Sequence, residues 1–209
     1  MILIKNLTKK YSNNLVLDKI NVDFQFGNVY GIVGNNGAGK TTFFRCLAGL
    51  EKYDGTIQTD RVSFKSELGL LLAELYFLPK ITGEEYIYLM SESRGVYIKN
   101  LAERNIFNLP LNQYVESYST GMKKKLAIMS VLLQKNNFFI LDEPFNGLDL
   151  ESSFILVEII KSLRAHNKII LISSHIFATL KDVCDQILVL EHGALVQKID
   201  KMNFDLLES

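Results

Sequence analysis

The sequence is poor in cysteine and carries no excess of either charge. Its two cysteines among 209 residues, Cys46 and Cys184, are far apart, form no CxxC pair and fall within apolar helical patterns. We therefore expect buried free thiols in a reducing cytosol, and no metal or redox site. The 23 basic residues balance 23 acidic ones, which excludes a global field that would attract nucleic acid or an anionic membrane. A local basic patch remains at Lys123-Lys124-Lys125.

Long apolar runs are also missing. No uninterrupted apolar stretch approaches the ~20 residues that a membrane-spanning helix needs, and the longest candidate, residues 68–78, carries Glu74. Residues 1–7 have no basic region followed by an apolar core, so we expect no secretory signal. If the protein works at a membrane, we expect it to act from the aqueous side.

Strand and helix patterns alternate along most of the chain. Strict alternation of apolar and polar residues over 20–26 predicts a strand with one buried face, and the apolar run 29–33 predicts a fully buried strand. The alternation of strands with helices farther along the chain is typical of βα units around a parallel sheet. The later predictions are a helix at 120–135, a strand at 138–141, a helix at 151–165, a strand at 168–173, a helix at 177–184 and a hairpin turning at His192-Gly193.

A helical segment interrupts this order. Thr82-Gly83-Glu84-Glu85 has the pattern of a capping box and predicts a helix running to about Gly95. A second helical piece is predicted at 99–108, before Leu109-Pro110 ends it. The chain is therefore predicted to form one domain, residues 1–209, with a small inserted helical subdomain at about 80–118.

Residues 34–42 match the phosphate-loop pattern GxxxxGK[ST] between a predicted strand and a predicted helix. Such a loop turns successive backbone N–H groups and a helix N-terminus toward phosphate, and glycine is needed where a Cβ would block the approach. Lys40 is expected to reach the β- and γ-phosphates, and Thr41 to ligate Mg²⁺. The alternative is a glycine-rich turn that binds nothing. The predicted ATP-binding residues are Gly34, Asn35, Asn36, Gly37, Ala38, Gly39, Lys40, Thr41 and Thr42.

Two carboxylates follow the apolar strand predicted at 138–141. Asp142 at the strand tip is expected to hold Mg²⁺ through water, and Glu143 to act as the general base for the attacking water. The alternative is that these acidic residues only cap a following helix. Behind a phosphate loop in a βα chain, the catalytic interpretation is favoured.

At this point the chain resembles the ATP-binding-cassette (ABC) ATPases, over nearly its whole length. Tyr118-Ser119-Thr120-Gly121-Met122 resembles the family's signature motif, usually LSGGQ, and keeps the functional positions Ser119 and Gly121. The resemblance implies an α/β fold of the P-loop NTPase type, with a mixed, largely parallel sheet and N-terminal antiparallel strands. It also implies that Ser119 and Gly121 contact the γ-phosphate of ATP held by the opposite subunit.

Three further positions resemble family landmarks. Asn146-Gly147-Leu148-Asp149 is similar to the family's loop that lines the dimer seam. This resemblance implies that Asp149 belongs to the nucleotide-binding residues. His175 after Ser173-Ser174 is similar to the switch histidine, which gives the predicted catalytic set Lys40, Glu143 and His175. Tyr11 resembles the aromatic residue that stacks on adenine, and the alternative is a surface tyrosine in a turn.

One landmark is weak. The family has a glutamine that senses Mg²⁺ and the membrane subunit, and its position falls on Ala73 in this chain. Either the neighbouring Glu74 replaces it as a metal ligand, beside Thr41 and Asp142, or this polar contact is missing. The apolar residues Leu75, Tyr76 and Phe77 follow. They are expected either to form part of an exposed groove that docks a helix of the membrane subunit, or to lie in the core.

The resemblance implies an ATP-binding and ATP-hydrolysing subunit of an exporter-like ABC transporter. The expected partners are a transmembrane permease on a separate chain and a second ATPase subunit, in a homodimer formed on ATP binding, with no nucleic acid. The expected location is cytoplasmic, peripheral on the inner face of the cell membrane. The rivals are a cassette ATPase acting on nucleic acid or ribosomes, disfavoured because neither fused cassettes nor coiled coils occur, and a non-hydrolysing regulatory module, disfavoured by Lys40, Asp142, Glu143 and His175.

Overall fold

Two sheets and five α-helices make up the computed structural model, which describes residues 1–60, 64–174 and 177–207, without the side chains of residues 178 and 205–207. The strands are β1 Ile2–Tyr11, β2 Asn14–Phe24, β3 Asn28–Val33, β4 Asp54–Thr59, β5 Leu68–Leu71, β6 Phe138–Asp142, β7 Ile169–Ser173, β8 Gln186–Glu191 and β9 Ala194–Asp200. The α-helices are α1 Lys40–Leu47, α2 Gly83–Glu92, α3 Thr120–Leu132, α4 Leu150–Ala165 and α5 Phe177–Lys181. Short 3₁₀ helices lie at Phe64–Glu67, Leu101–Arg104, Val115–Ser117 and Lys201–Leu207.

The larger sheet has six strands in the order β5-β6-β7-β3-β8-β9. All neighbouring pairs are parallel except β8 with β9, which form the predicted hairpin. The smaller sheet, β2-β1-β4, is antiparallel and contains the two N-terminal strands and β4. This mixed α/β architecture confirms the fold class predicted from the sequence.

The central strands are buried on both faces. In β6, Phe139 and Leu141 belong to one apolar cluster with the helices α3 and α4, whereas Phe138 and Ile140 belong to a second cluster with α1 and the small sheet. Such two-sided burial explains why β6 and β7 read as continuous apolar runs and not as alternating ones. The parallel pairing of β6 with β7 and of β7 with β3 places the carboxyl ends of these strands along one edge, where the site forms.

Several predicted local signals are present. Thr82 caps α2 by accepting a hydrogen bond from the Glu85 N–H, and the Glu85 carboxylate accepts one from the Thr82 N–H, which completes the capping box. Cys46 and Cys184 are buried free thiols, as predicted. Burial raises the pKa of the Cys46 thiol to about 11, so this residue is held as a neutral thiol.

Two secondary-structure predictions are wrong. Residues 99–108 do not form a continuous helix: only Leu101–Arg104 form a 3₁₀ turn, since Asn100 and Asn108 adopt left-handed backbone angles that interrupt a helix. The helix predicted at 177–184 ends at Lys181. Strand β5 was not predicted, because a short apolar run does not distinguish strand from helix.

Among residues 1–60, 64–174 and 177–207, none of the helices combines the length and the apolar character needed to cross a bilayer.

Candidate nucleotide site

The phosphate loop joins β3 to α1, as its pattern requires. A Cβ on Gly34 would lie 2.2 Å from the Leu190 carbonyl oxygen, so any larger residue would push the loop off the hairpin. Gly37 has a φ of 83°, and a Cβ there would meet no atom within 4 Å. The first glycine therefore packs the loop against the fold, and the second leaves its outer face open for a ligand to approach.

Lys40 is folded back into this loop. Its side chain is 7% exposed, and its ammonium donates to the Gly34 and Asn35 carbonyl oxygens at 2.6 and 3.2 Å. The loop thus holds a cation against its own carbonyl oxygens. This arrangement fits the polyphosphate tail of a nucleotide.

Asp142 is the centre of a hydrogen-bonded group at the carboxyl edge of the sheet. The Thr41 hydroxyl donates to its Oδ2 at 2.6 Å, across 101 positions of sequence, and the Ser173 hydroxyl donates to its Oδ1 at 2.5 Å. Asp142 is 1% exposed. One hydroxyl and one fixed carboxylate side by side are a donor set that suits Mg²⁺, which takes few protein ligands and keeps waters and substrate phosphates.

Glu143 is held by its own backbone. Its φ is 49°, an uncommon left-handed angle for this residue type, and its N–H donates to the Ser173 hydroxyl at 2.9 Å. Ser173 therefore holds the Asp142 carboxylate through its donor and the Glu143 backbone through its acceptor. Backbone strain of this kind is concentrated at functional sites.

Lys124 is a site residue that the motifs did not single out. It lies in α3, is 4% exposed, and its ammonium is 3.5 Å from the Asp142 carbonyl oxygen. Burial lowers its pKa, and the nearby charges of Asp142 and Glu143 oppose that effect. Its position among three basic residues suggests a solvated patch, and only the packing of α3 against the sheet reveals that it points inward.

Tyr11, most of the phosphate loop and the two carboxylates line one open cleft of about 410 Å³, whereas Gly34, Asn35 and Ala38 of the loop lie outside its lining. Ala73, at the position of the family's glutamine, also lines it, whereas Glu74 is exposed and lies outside this lining. The cleft is lined by Tyr11, Val16, Asn36, Gly37, Gly39, Lys40, Thr41, Thr42, Ala73, Asp142 and Glu143.

The signature-like segment lies elsewhere in the chain. In the part of the chain that the structure describes, Ser119, Gly121 and Asp149 do not line the cleft. Ser119 caps α3, accepting from the Met122 N–H at 3.2 Å, and a Cβ on Gly121 would lie 2.8 Å from the Gly147 carbonyl oxygen. The signature-like segment is therefore packed against the Asn146–Asp149 loop of its own chain, and Ser119 and Gly121 lie outside the lining of the cleft.

Asp149 has two structural contacts that the sequence did not predict. It caps α4 by accepting from the Ser152 N–H at 2.8 Å, and it pairs with the Lys125 ammonium at 2.6 Å. These two partners, the lysine foremost, hold the pKa of the Asp149 carboxyl well below its usual range. The contact fixes the loop against α3.

His175 lies outside the described residues. Within the described part of the chain there is no cluster of three or more His, Cys, Asp or Glu side chains that would hold a metal ion unaided.

Comparison with known proteins decides the family. Residues 17–146 match the family model described as ABC transporter. The chain is 32% identical to the bacitracin transport ATP-binding protein of Enterococcus faecalis, over 94% of this chain and 68% of that protein. This chain belongs to the ABC transporter family of ATP-binding subunits. It accordingly binds and hydrolyses ATP, and the two rival functions named above are not favoured.

Solved structures agree on the fold of this ABC ATPase. An ATP-binding subunit of an ABC transporter superimposes with a TM-score of 0.86 at 25% identity, covering 100% of this chain and 95% of that one. A dimeric ATP-binding cassette in a post-hydrolysis state, bound to ADP and Pi, gives a TM-score of 0.86 at 17% identity, covering 96% and 99%. The second likeness concerns the fold alone.

Proposed function

We propose that this ABC ATPase works as a homodimer in which two ATP molecules are held between two copies of the chain. The observation that carries this proposal is the separation of two half-sites in one chain. The phosphate loop and the carboxylates share an open cleft, whereas Ser119 and Gly121 lie outside its lining, with Gly121 packed against Gly147. A second copy would bring its signature-like segment over the cleft and complete the site.

Each predicted residue has a role in this proposal. The loop N–H groups of residues 34–42 bind the phosphates, Lys40 neutralises the β- and γ-phosphates, and Tyr11 stacks on the base. From the opposite copy, Ser119 and Gly121 bind the γ-phosphate, and Asp149 lies at the seam between the copies. His175 is assigned to the γ-phosphate and the attacking water by resemblance alone.

Glu143 is proposed as the general base. Its fixed backbone would aim the carboxylate at a water in line with the γ-phosphorus, and the carboxylate would accept the proton as that water attacks. Thr41 and Asp142 would hold Mg²⁺, with Glu74 as the weaker candidate because it is exposed and outside the cleft. When bound, Mg²⁺ neutralises charge on the transferred phosphoryl group.

The mechanical output is proposed to come from residues 80–118. This segment contains α2 and two 3₁₀ turns and leads directly into the signature-like residues at the start of α3. A copy that closes on ATP would carry the segment with it as a rigid body, and hydrolysis would release it. We therefore propose that this subdomain transmits the motion to a transmembrane permease on a separate chain, at the inner face of the cell membrane.

Residues 75–78 are the proposed contact with that permease. Tyr76 is 79% exposed and Leu78 is 46% exposed, whereas Leu75 and Phe77 are partly buried, Phe77 with its ring centroid 4.8 Å from that of Tyr86. Tyr76 and Leu78 are thus available to a partner, and Phe77 supports the surface from below. Exposed aromatic side chains of this kind supply much of the binding energy of an interface.

Replacing Tyr76 by Ser should release the chain from native cell membranes without changing ATP binding. Loss of one anchoring aromatic side chain costs about 2 kcal/mol, or roughly 30-fold in affinity. The measurement is the fraction of the chain that sediments with native membranes. Phe154→Ser is the control, since Phe154 in α4 is 63% exposed and lies outside both the docking segment and residues 80–118.

A Tyr76→Ser variant that sediments like the unmodified chain would contradict the docking assignment. Because the side chain is exposed, its removal should leave the thermal unfolding midpoint unchanged, and this is checked on the same preparation.

A further inference from the structure

A lysine is buried beneath the ring of Tyr11. Lys9 lies two residues earlier in β1, and its ammonium is 4.4 Å from the ring centroid of Tyr11. Lys9 is 8% exposed, whereas its neighbour Lys10 is exposed. Lysine is almost never this buried without specific partners, so the position calls for a physical explanation.

Lys9 has such partners, and they fix its position. Its ammonium forms an ion pair with the Glu51 carboxylate at 2.9 Å and donates to the Lys52 carbonyl oxygen at 2.8 Å. Both partners follow α1, the helix that the phosphate loop opens. The cation is therefore anchored to the element that binds phosphate, and the Tyr11 ring lies against it.

The Tyr11 ring lies between Lys9 and the cleft. Burial and the nearby Glu51 carboxylate raise the pKa of its hydroxyl, so Glu51 acts on both Lys9 and Tyr11. The ring is 40% exposed and lines the cleft, so part of it is accessible to a ligand.

We infer that Lys9 and Glu51 are positioning residues for the nucleotide base: Lys9 covers one face of the Tyr11 ring, and the purine stacks on the other. A cation over the face of an aromatic ring attracts it through the ring quadrupole. A ring that is already oriented loses less conformational entropy when the base arrives. This inference rests on the proposed stacking of Tyr11 on the base, and it adds that the residues behind the ring set the strength of that stacking.

The test compares two ligands that share a phosphate tail and differ in the base. Calorimetry with Mg²⁺ measures the affinities of ATP and of inorganic tripolyphosphate for the full chain. Lys9→Met, which keeps the length of the side chain and removes its charge, should weaken ATP about five- to tenfold, within the range of a partly desolvated cation–π contact. Tripolyphosphate should change less than twofold, and Lys9→Arg should restore most of the ATP affinity.

A steady-state readout separates positioning from catalysis. In Lys9→Met, the KM for ATP should rise while kcat stays unchanged, because the base contact is the same in the ground state and the transition state. Lys10→Met carries the same change of charge on the exposed neighbour and should alter neither affinity.

Three results would overturn the inference. The first is an unchanged ATP affinity in Lys9→Met. The second is an equal loss of affinity for ATP and tripolyphosphate, which would show an effect through the fold or the general charge. If Lys9→Met does not fold, Glu51→Gln takes its place with the same expected selective loss, and the absence of that loss overturns the inference. Tyr11→Ala distinguishes the two levels: full ATP affinity in that variant would refute base stacking itself, whereas a loss there without one in Lys9→Met refutes only the role of Lys9.

Discussion

Replacing Glu143 by Gln should lower ATP turnover by about 10²- to 10⁴-fold, the usual contribution of a positioned general base. The amide has nearly the same size as the carboxylate but cannot accept the proton of the attacking water. Glu143 is held by its N–H bond to Ser173 and by a left-handed backbone angle, so the substitution should leave the geometry in place. The measurement is the steady-state rate of phosphate release from ATP.

Binding must survive in the Glu143→Gln variant for this result to identify the base. ATP affinity should stay within about twofold, because the phosphate loop is untouched. Glu151→Gln is the matched control, because Glu151 is exposed in the first turn of α4. This variant should hydrolyse ATP at the unmodified rate. A Glu143→Gln chain that turns over as fast as the unmodified one would assign the base elsewhere.

Replacing Lys40 by Ala should weaken ATP binding by about 10- to 100-fold, since hydrogen bonds to a charged group contribute roughly 1.5–3 kcal/mol. The ammonium is the one side-chain cation among the residues described as lining the cleft. Its loss also leaves the Gly34 and Asn35 carbonyl oxygens without this donor, so the loop itself should loosen. Calorimetric titration with ATP measures the change.

The control for Lys40→Ala is Lys135→Ala, which removes an exposed lysine after α3. It should bind ATP like the unmodified chain. Lys40→Arg should restore little, because a planar guanidinium does not fit the space that the loop closes around a compact ammonium. Unchanged ATP affinity in Lys40→Ala would mean that residues 34–42 are not the phosphate site.

The sequence was sufficient to predict local geometry that depends on neighbouring residues. The phosphate loop, the strand-end pair Asp142 and Glu143 and the capping box at Thr82 are local patterns, each tied to one local geometry. The rule that parallel strands end at a common edge then brings Thr41 and Asp142 together across 101 positions. These predictions needed only the local patterns and the order of strands and helices along the chain.

The sequence was insufficient where a contact depends on how distant elements pack. Nothing in the pattern Lys9-Lys10-Tyr11 shows which lysine turns under the ring, because the strand carries register shifts in this region that upset simple alternation. Lys124 appeared to belong to a solvated basic patch, and Ser173 to a buried strand end. The helix predicted at residues 99–108 was wrong for a local reason. The Asn105 side chain donates to the Leu109 carbonyl oxygen and accepts from the Leu109 N–H, which stabilises a turn instead of a helix.

Light scattering of the Glu143→Gln chain with and without Mg²⁺ and ATP tests most directly whether two copies share the nucleotide. Hydrolysis would be blocked, so the closed state should accumulate, and the mass should rise from 23.8 kDa to about twice that value at saturating ATP. A chain that binds ATP with full affinity yet keeps the mass of one copy would contradict a site completed by a second molecule.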